Sequence, residues 1–568
     1  MIHPYNLMQS AEVEATMTAE EALPSTKNLA VGADGMVDHH GDPLPELGAR
    51  AAYVDLEKII SSARREFSGE HPGSQFFWNV AKWTAIRSFA FQFRSIEVTG
   101  EVSIKKDQGT MFVAWHTNGL IDPLAIVLTQ PKRFIFGGRH DLITRPVVGW
   151  WSRRLGVQPV IRQAELMRGG CTKEEARNLN GQSLLVIANC IASGIPGVLL
   201  PEGTSHQQSH LLRLRTGPMR TVIAAAGLAH ARGQPLPTIQ PVGLHFRVCH
   251  RFRTDLWVEY GDPLPVSSDS PSAADLERMQ DGDWIEPGRD AVNSLRDEIR
   301  DPLRRLTPDA PDWDTWGAWQ ITAHLRASSR GSQLNSWRSE VIAAREVRTD
   351  LNRLKDADDP DRLRSAARMM NQAKSVHRRL WRQGLDARDI TENGSLKQRT
   401  TVERILWLPA LVLASISFPL SLLSSGLPAL LGFVLGNRTD EGLDARASVQ
   451  LMLTIFTPII FWPICATLII TTALTLFFTG VLPPSPTSEL DLSWLEWTLV
   501  SVVGWLSLFP LFWVCSVLSL WAYDCWMAYR RGVWRSRLAA STGGRKLAAE
   551  CRRIIELIDS GVLTDDDG

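Results

Sequence analysis

The chain has 568 residues, 44% hydrophobic and 21% charged, with 61 Lys and Arg against 61 Asp and Glu. That balance leaves no excess positive charge to drive binding to nucleic acid, which is mainly an electrostatic effect. A mean hydropathy of −0.08 excludes a chain made chiefly of membrane spans, and seven scattered cysteines without a CxxC pair argue against a disulfide scaffold or a cysteine zinc site.

Residues 1–48 are acidic, polar and punctuated by Gly and Pro, without the basic head and apolar middle of a signal peptide. They read as a flexible leader, which places the domain that follows in the cytosol. Residues 49–264 read as an α/β domain, a central mixed sheet flanked by helices. Short apolar runs at Met111–Trp115, Arg133–Phe136, Gly197–Leu200 and Ile239–Leu244 predict strands, and Glu174–Ser193 and Arg213–Arg232 have helical periodicity. Ahead of them, 74–95 mixes aromatics with Lys82, Arg87 and Arg94. It suits equally a helix packed on the domain and one lying on a membrane surface.

Residues 265–404 are polar and rich in Arg, Asp and Ala, which predicts a helical arm whose charge runs are solvated faces. Three uncharged stretches follow, Ile405–Leu435, Leu451–Leu482 and Trp497–Tyr523, each longer than the ~20 residues that cross a bilayer. The approach (378–404) and the tail (524–568) are both basic and belong on the cytoplasmic side, while the loop 483–493 has no Lys or Arg and belongs outside. Three crossings would separate approach from tail. The segment 405–435, broken by Pro409, Pro419 and SSGLP, is therefore expected to be a re-entrant hairpin, with 451–482 and 497–523 as the two transmembrane helices.

Chemistry concentrates in two places. In MFVAWHTNGLIDPLAIV (111–127), His116 and Asp122 follow a strand; a His beside a carboxylate that fixes its tautomer can act as a general base. In VLLPEGTSHQQSHLLRLRTG (198–217), Glu202, Gly203, Thr204 and Ser205 leave a strand end, where ligand crevices of open α/β sheets lie. Gly203 allows close backbone approach, Thr204 and Ser205 can grip an anion, and Arg213 and Arg215 add positive charge suited to phosphate. Each stretch also has a bland reading: a helix-capping Asp beside a surface His, and a capped helix with solvated arginines.

In order, His116/Asp122, then FGGRHDLITRPVVGWWSRRLGVQPVIR (136–162), LLPEGTS and PTIQPVGL (237–244) resemble the four blocks of the membrane glycerolipid acyltransferase superfamily over residues 75–265. Five residues separate His116 from Asp122 where most of the superfamily has four. HTNGLIDP, with His116, Asn118, Asp122 and Pro123, and PEGTSH, with Ser205 after Thr204, resemble the fungal-type glycerol-3-phosphate/dihydroxyacetone-phosphate acyltransferase branch. The resemblance implies transfer of a fatty acyl group from acyl-CoA, or from an acyl carrier protein, to the sn-1 hydroxyl of glycerol 3-phosphate. Lysophosphatidate and dihydroxyacetone phosphate are the alternative acceptors. It further implies His116 as base, Asp122 orienting it, and Arg139, Glu202, Gly203, Thr204, Ser205, His206, Arg213 and Arg215 around the acceptor. Asn118 and Pro123 support the turn. No metal or other cofactor is implied. The setting would be a bilayer, bacterial or, in a eukaryote, the endoplasmic reticulum, with the site on the cytoplasmic face and the oligomeric state open.

Rival readings carry less. HQQSH (206–210) would place His206 and His210 on one helical face as metal ligands, but the Glu of a zinc hydrolase signature is missing. The G-x-S-x-G elbow of a serine hydrolase is absent too. A non-catalytic membrane scaffold remains as the alternative of a different class.

Overall fold

A computed structural model describes residues 44, 47, 52–100, 107–357, 359–438, 443–481 and 493–563. The leader apart from Leu44 and Leu47, the loop 483–492 and the last five residues of the tail lie outside them.

The sheet grows from β1 (Phe93–Thr99), β2 (Thr110–Ala114), β3 (Ile135–Arg139), β4 (Gln158–Val160), β5 (Gly197–Val198), β6 (Thr238–Phe246), β7 (Thr254–Tyr260) and β8 (Leu264–Pro265). Their spatial order is β1-β7-β6-β2-β5-β3-β4, with β8 on β6. From β6 to β4 the strands are parallel; β7 and β8 run antiparallel to β6. Strand alternation sorts the core into two layers. Met111 and Val113 face α3 (Lys173–Ala192), α4 (Gly217–Ala231) and α5 (Arg289–Arg305), while Phe112 and Ala114 face α1 (Gln75–Gln92) and α2 (Ile121–Leu128). Helix α1 packs on the domain along one face. Trp78, Ala85 and Phe89 are buried against the sheet, and Phe76, Trp83 and Ile86 are exposed on the other side.

The strand expected over Arg133–Phe136 lies at Ile135–Arg139, and two further boundaries move. The strand expected over Gly197–Leu200 stops at Val198. The helix expected from Arg213 starts at Gly217, because the strap before it is spent on other bonds: Leu212 N–H donates to Glu202 and Arg215 N–H to the carbonyl of Pro201.

The polar arm folds as α6 (Trp313–Ser329), α7 (Trp337–Asp356) and α8 (Pro360–Arg382), and α14 (Thr542–Asp559) from the tail completes their core. Trp316, Val341, Val376 and Leu380 pack with Leu547, Cys551 and Ile554, and Trp257 of β7 joins them. Its charges are not all solvated. Arg247 binds Asp255 and Glu340 at 2.7 and 2.6 Å, and Arg388 binds Asp386 at 2.7 Å. The chain end of α13 (Trp494–Ala540) brings Arg531 to Asp386 and Asp389, and Arg535 to Asp389 and Glu403. Part of the charge expected on solvated faces is here the contact between elements.

Among the described residues, three helices are long and apolar enough to cross a membrane: Trp407–Asn437, Arg446–Phe478 and Trp494–Ala540. The re-entrant hairpin expected at 405–435 is instead one continuous helix, α9 (Trp407–Ser421) running through a π-helical turn at Leu422–Gly426 into α10 (Leu427–Asn437). The π turn lies between Pro419 and Pro428, whose missing backbone donors favour such an interruption of the hydrogen-bond ladder. Hydroxyls knit α9 to α13: Ser417 and Ser421 each lie 2.8 Å from Ser519, and Ser425 lies 3.1 Å from Ser516. Beyond Arg438 the chain returns as α11 (Leu443–Phe456), antiparallel to α10, with Gly432 beside Leu453 and Gly436 beside Arg446. A second π turn, Thr457–Phe461, leads to α12 (Trp462–Phe478), which pairs with the first half of α13 through Trp462–Phe512 and Phe478–Trp497 ring contacts.

Helix α11 docks on the α/β domain. Ala447 and Leu451 are fully buried among Phe112, Trp115 and Ile121, and Phe456 meets Trp151. Both ends of the α9–α10 helix are thus tied to the soluble body, one through Glu403–Arg535 and the other through α11.

Candidate active site

The parallel strands β2, β5 and β3 are neighbours, so their C-terminal ends place His116, Glu202 and Arg139 along one edge of the sheet. His116 leaves β2 after Trp115, and Asp122 sits in the first turn of α2. The extra residue between them is taken up by the turn: Asp122 Oδ2 accepts from His116 Nδ1 at 3.0 Å and from the backbone N–H groups of Thr117 and Asn118 at 2.6 and 2.7 Å. Asp122 is fully buried while the His116 side chain keeps 14% of its surface. Burial pushes the Asp122 carboxyl above its ordinary range, and His116 with the two amides pulls the other way. With Nδ1–H donated to this carboxylate, Nε2 of His116 keeps its lone pair for a proton.

Pro123 occupies the first turn of α2, where a missing N–H costs nothing. Asn118 accepts the Asp122 N–H on its carbonyl, and its buried side-chain amide has no hydrogen-bond partner among the described residues.

Glu202 ties the second loop to the first. Its Oε2 accepts the N–H of His116 at 2.6 Å; its Oε1 accepts from His206 Nε2 at 2.9 Å and from Leu212 N–H at 2.7 Å. Gln208 N–H donates to His206 Nδ1, which leaves the His206 proton on Nε2, facing Glu202. The His206 N–H in turn donates to the carbonyl of His116 at 2.9 Å. His206 is therefore a buried strut, and its expected place at the acceptor is taken by these contacts. Gly203 adopts φ +70°, a left-handed conformation that suits glycine, with the Arg215 side chain passing over it. Thr204 and Ser205 follow in the same loop.

Arg139 and Arg213 stand apart from this cluster in different ways. Arg139 is clamped by Asp141 at 2.5 and 3.0 Å, and Asp141 also holds Arg145. Two arginines outweigh burial and keep the Asp141 carboxyl below its ordinary value. Arg213 is exposed and lines a cavity of about 420 Å³ with Arg296, Asp297 and Arg300 of α5, so the expectation that it joins Arg215 at the loop is corrected. The irregular strap turns Arg213 toward α5 while Arg215 passes over Gly203. The helical face expected to carry His206 and His210 does not exist, since 201–216 is irregular. Among the described residues no group of three or more His, Cys, Asp or Glu could hold a metal ion.

Three residues at the site went unread in the sequence. Trp313 donates Nε1–H to the carbonyl of Gln207 at 2.6 Å, and Gln207 Nε2 reaches the carbonyl of Thr117 at 3.1 Å, so the start of the helical arm braces both loops. Ser448 of α11 accepts the N–H of Leu120 at 2.9 Å.

Residues 95–245, which hold both loops, match the Acyltransferase family model. This match and the relatives that follow fit the glycerolipid acyltransferase superfamily. Similar proteins include glycerol-3-phosphate O-acyltransferase 1 of Saccharomyces cerevisiae, 30% identical over 26% of this chain and 17% of that protein. The second enzyme of that name in the same yeast is 26% identical over 28% of the chain and 20% of its own length. A 1-acyl-sn-glycerol-3-phosphate acyltransferase of Streptococcus pneumoniae is 22% identical over 37% of the chain and 64% of that protein. The match therefore spans about a fifth or less of the yeast relatives. The solved lysophosphatidate acyltransferase PlsC of Thermotoga maritima aligns over 40% of this chain and 78% of its own, at 16% identity and a TM-score of 0.27.

Proposed function

We propose that this chain is an O-acyltransferase that moves a fatty acyl group from acyl-CoA to the sn-1 hydroxyl of glycerol 3-phosphate, giving lysophosphatidate at a membrane. The observation that carries the proposal is the His116 imidazole, oriented by a buried Asp122 and joined through Glu202 to the loop that ends the neighbouring parallel strand.

The acceptor hydroxyl attacks the thioester carbonyl. His116 Nε2 takes its proton, a C–O bond forms, the C–S bond breaks, and the thiolate leaves to be protonated as CoA thiol. Asp122 favours the imidazolium formed in that step. Gly203, Thr204 and Ser205, with Arg215, hold the acceptor phosphate, while Glu202 and His206 hold the loop. The likeness to the yeast enzymes favours glycerol 3-phosphate. Lysophosphatidate is the second reading, favoured by the broader coverage of the streptococcal protein. Apolar helices beside the site suit an acyl donor and a product that stay with lipid.

The test is competition between acceptors in proteoliposomes with one labelled acyl-CoA. Labelled lysophosphatidate formed from glycerol 3-phosphate, undiminished by equimolar dihydroxyacetone phosphate, is the expected result. Label appearing only in phosphatidate when lysophosphatidate is supplied selects the second reading, and no CoA thiol release with any acceptor overturns both.

A further inference from the structure

The turn from His116 to Asp122 is held through its backbone N–H groups, four of which meet side-chain acceptors. His116 donates to Glu202, Thr117 and Asn118 donate to Asp122, and Leu120 donates to Ser448. The first three acceptors are parts of the α/β domain. The fourth comes from 328 residues further along the chain, on the helix that opens the second apolar span.

Leu120 is the residue at the N-terminal boundary of α2, where amide N–H groups have no intrahelical acceptor. Ser448 fills that need from a helix that cannot easily shift. Ala447 and Leu451, four residues apart and so on one face of α11, are fully buried in the core that also contains Ile121 and Trp115. Beyond Phe456 the same helix passes through the Thr457–Phe461 turn into α12, whose Ile464 and Leu468 are more than half exposed on an apolar surface. The position of the His116 turn is thereby continuous with an element long and apolar enough to cross a membrane.

We propose that Ser448 is a positioning residue of acyl transfer: its hydroxyl fixes the His116–Asp122 turn, so that the active site is complete only when α11 is docked on the α/β domain. The inference rests on the transferase reading above. It adds that a side chain from the membrane region sets the geometry of the base.

The experiment compares full-length wild type, Ser448→Ala and Ser448→Thr in proteoliposomes, reading kcat, KM for glycerol 3-phosphate and hydrogen exchange at the Leu120 amide. Loss of the acceptor should lower kcat about tenfold, the rate equivalent of one hydrogen bond, with KM unchanged and faster exchange confined to the turn. Ser448→Thr keeps a hydroxyl and should restore both. A Ser448→Ala enzyme with wild-type kcat overturns the proposal, as does an equal loss in Ser448→Ala and Ser448→Thr, which would make the effect one of packing. If wild type releases no thiol with any acceptor, the transferase reading falls, and with it a role in transfer. The exchange at Leu120 would then report separately whether the Ser448 contact exists.

Discussion

At the scale of single residues, the site depends on how two carboxylates are spent. Asp122 gives one oxygen to His116 and two backbone amides, whereas Glu202 gives both oxygens to groups of three separate backbone stretches. Glu202 is thus saturated by the protein and acts as a tie. Glu202→Gln would turn a donor toward groups that are themselves donors, at a cost of about 1–3 kcal/mol. The expected outcome is a lower thermal midpoint with reduced kcat and an unchanged KM for glycerol 3-phosphate. Unchanged stability with a raised KM would instead put Glu202 on the acceptor. Residue chemistry was legible in HTNGLID and PEGTS because strand, turn and helix start are contiguous there, so the pairing His116–Asp122 needs only local geometry. The side to which Arg213 points was not legible, because it depends on whether 211–216 is helix or strap, and a bond from Leu212 to Glu202 settles that.

At the scale of elements, the membrane region differs most from its sequence reading. Charge bias required the approach and the tail to share a side, and a hairpin at 405–435 was one way to satisfy it. In the structure this segment is part of a continuous helix whose two ends are both bound to the soluble body, through Arg535 at one end and α11 at the other. The difference was illegible because it turns on Ala447 and Leu451 being buried in the α/β core, and an apolar face looks the same in sequence whether it meets lipid or protein. If α9–α10 lies along the body, Lys397→Cys and Arg438→Cys in an otherwise cysteine-free chain should react with an impermeant maleimide from the same side of a vesicle. Trp494→Cys, at the far end of α13, should react from the other. Reaction of position 438 together with position 494 would mean that α9–α10 crosses.

At the scale of the whole molecule, α/β domain, helical arm and the end of α13 are joined by ion pairs that centre on Asp255, Asp386 and Asp389. Burial works against the Asp255 carboxylate, but Arg94 and Arg247 bring it to about 2; burial works against Asp386 too, but Arg388 and Arg531 hold it well below its ordinary value. A carboxylate depressed in the folded state adds stability that is present above its unfolded value of 3.8 and lost as pH falls through the folded one. Asp255 alone is worth about 2 kcal/mol by this linkage. Urea unfolding followed by helical circular dichroism should give a lower midpoint at pH 3 than at pH 6, and a midpoint that is unchanged or higher at pH 3 would contradict the role of the network. The fold class of the α/β domain was legible from its strand spacing. The fusion of arm and tail into one core was not, because Trp316 and Ile554 are neighbours only after the chain has passed through every membrane helix.

The measurement that bears most directly on the reaction is thiol release from acyl-CoA by full-length protein in proteoliposomes, with and without glycerol 3-phosphate, for wild type and His116→Ala. Release by wild type that depends on glycerol 3-phosphate, reduced by about a thousandfold or more in a His116→Ala protein that still folds and inserts, is the expected result. Near-wild-type release by that variant would show that the imidazole is not the base.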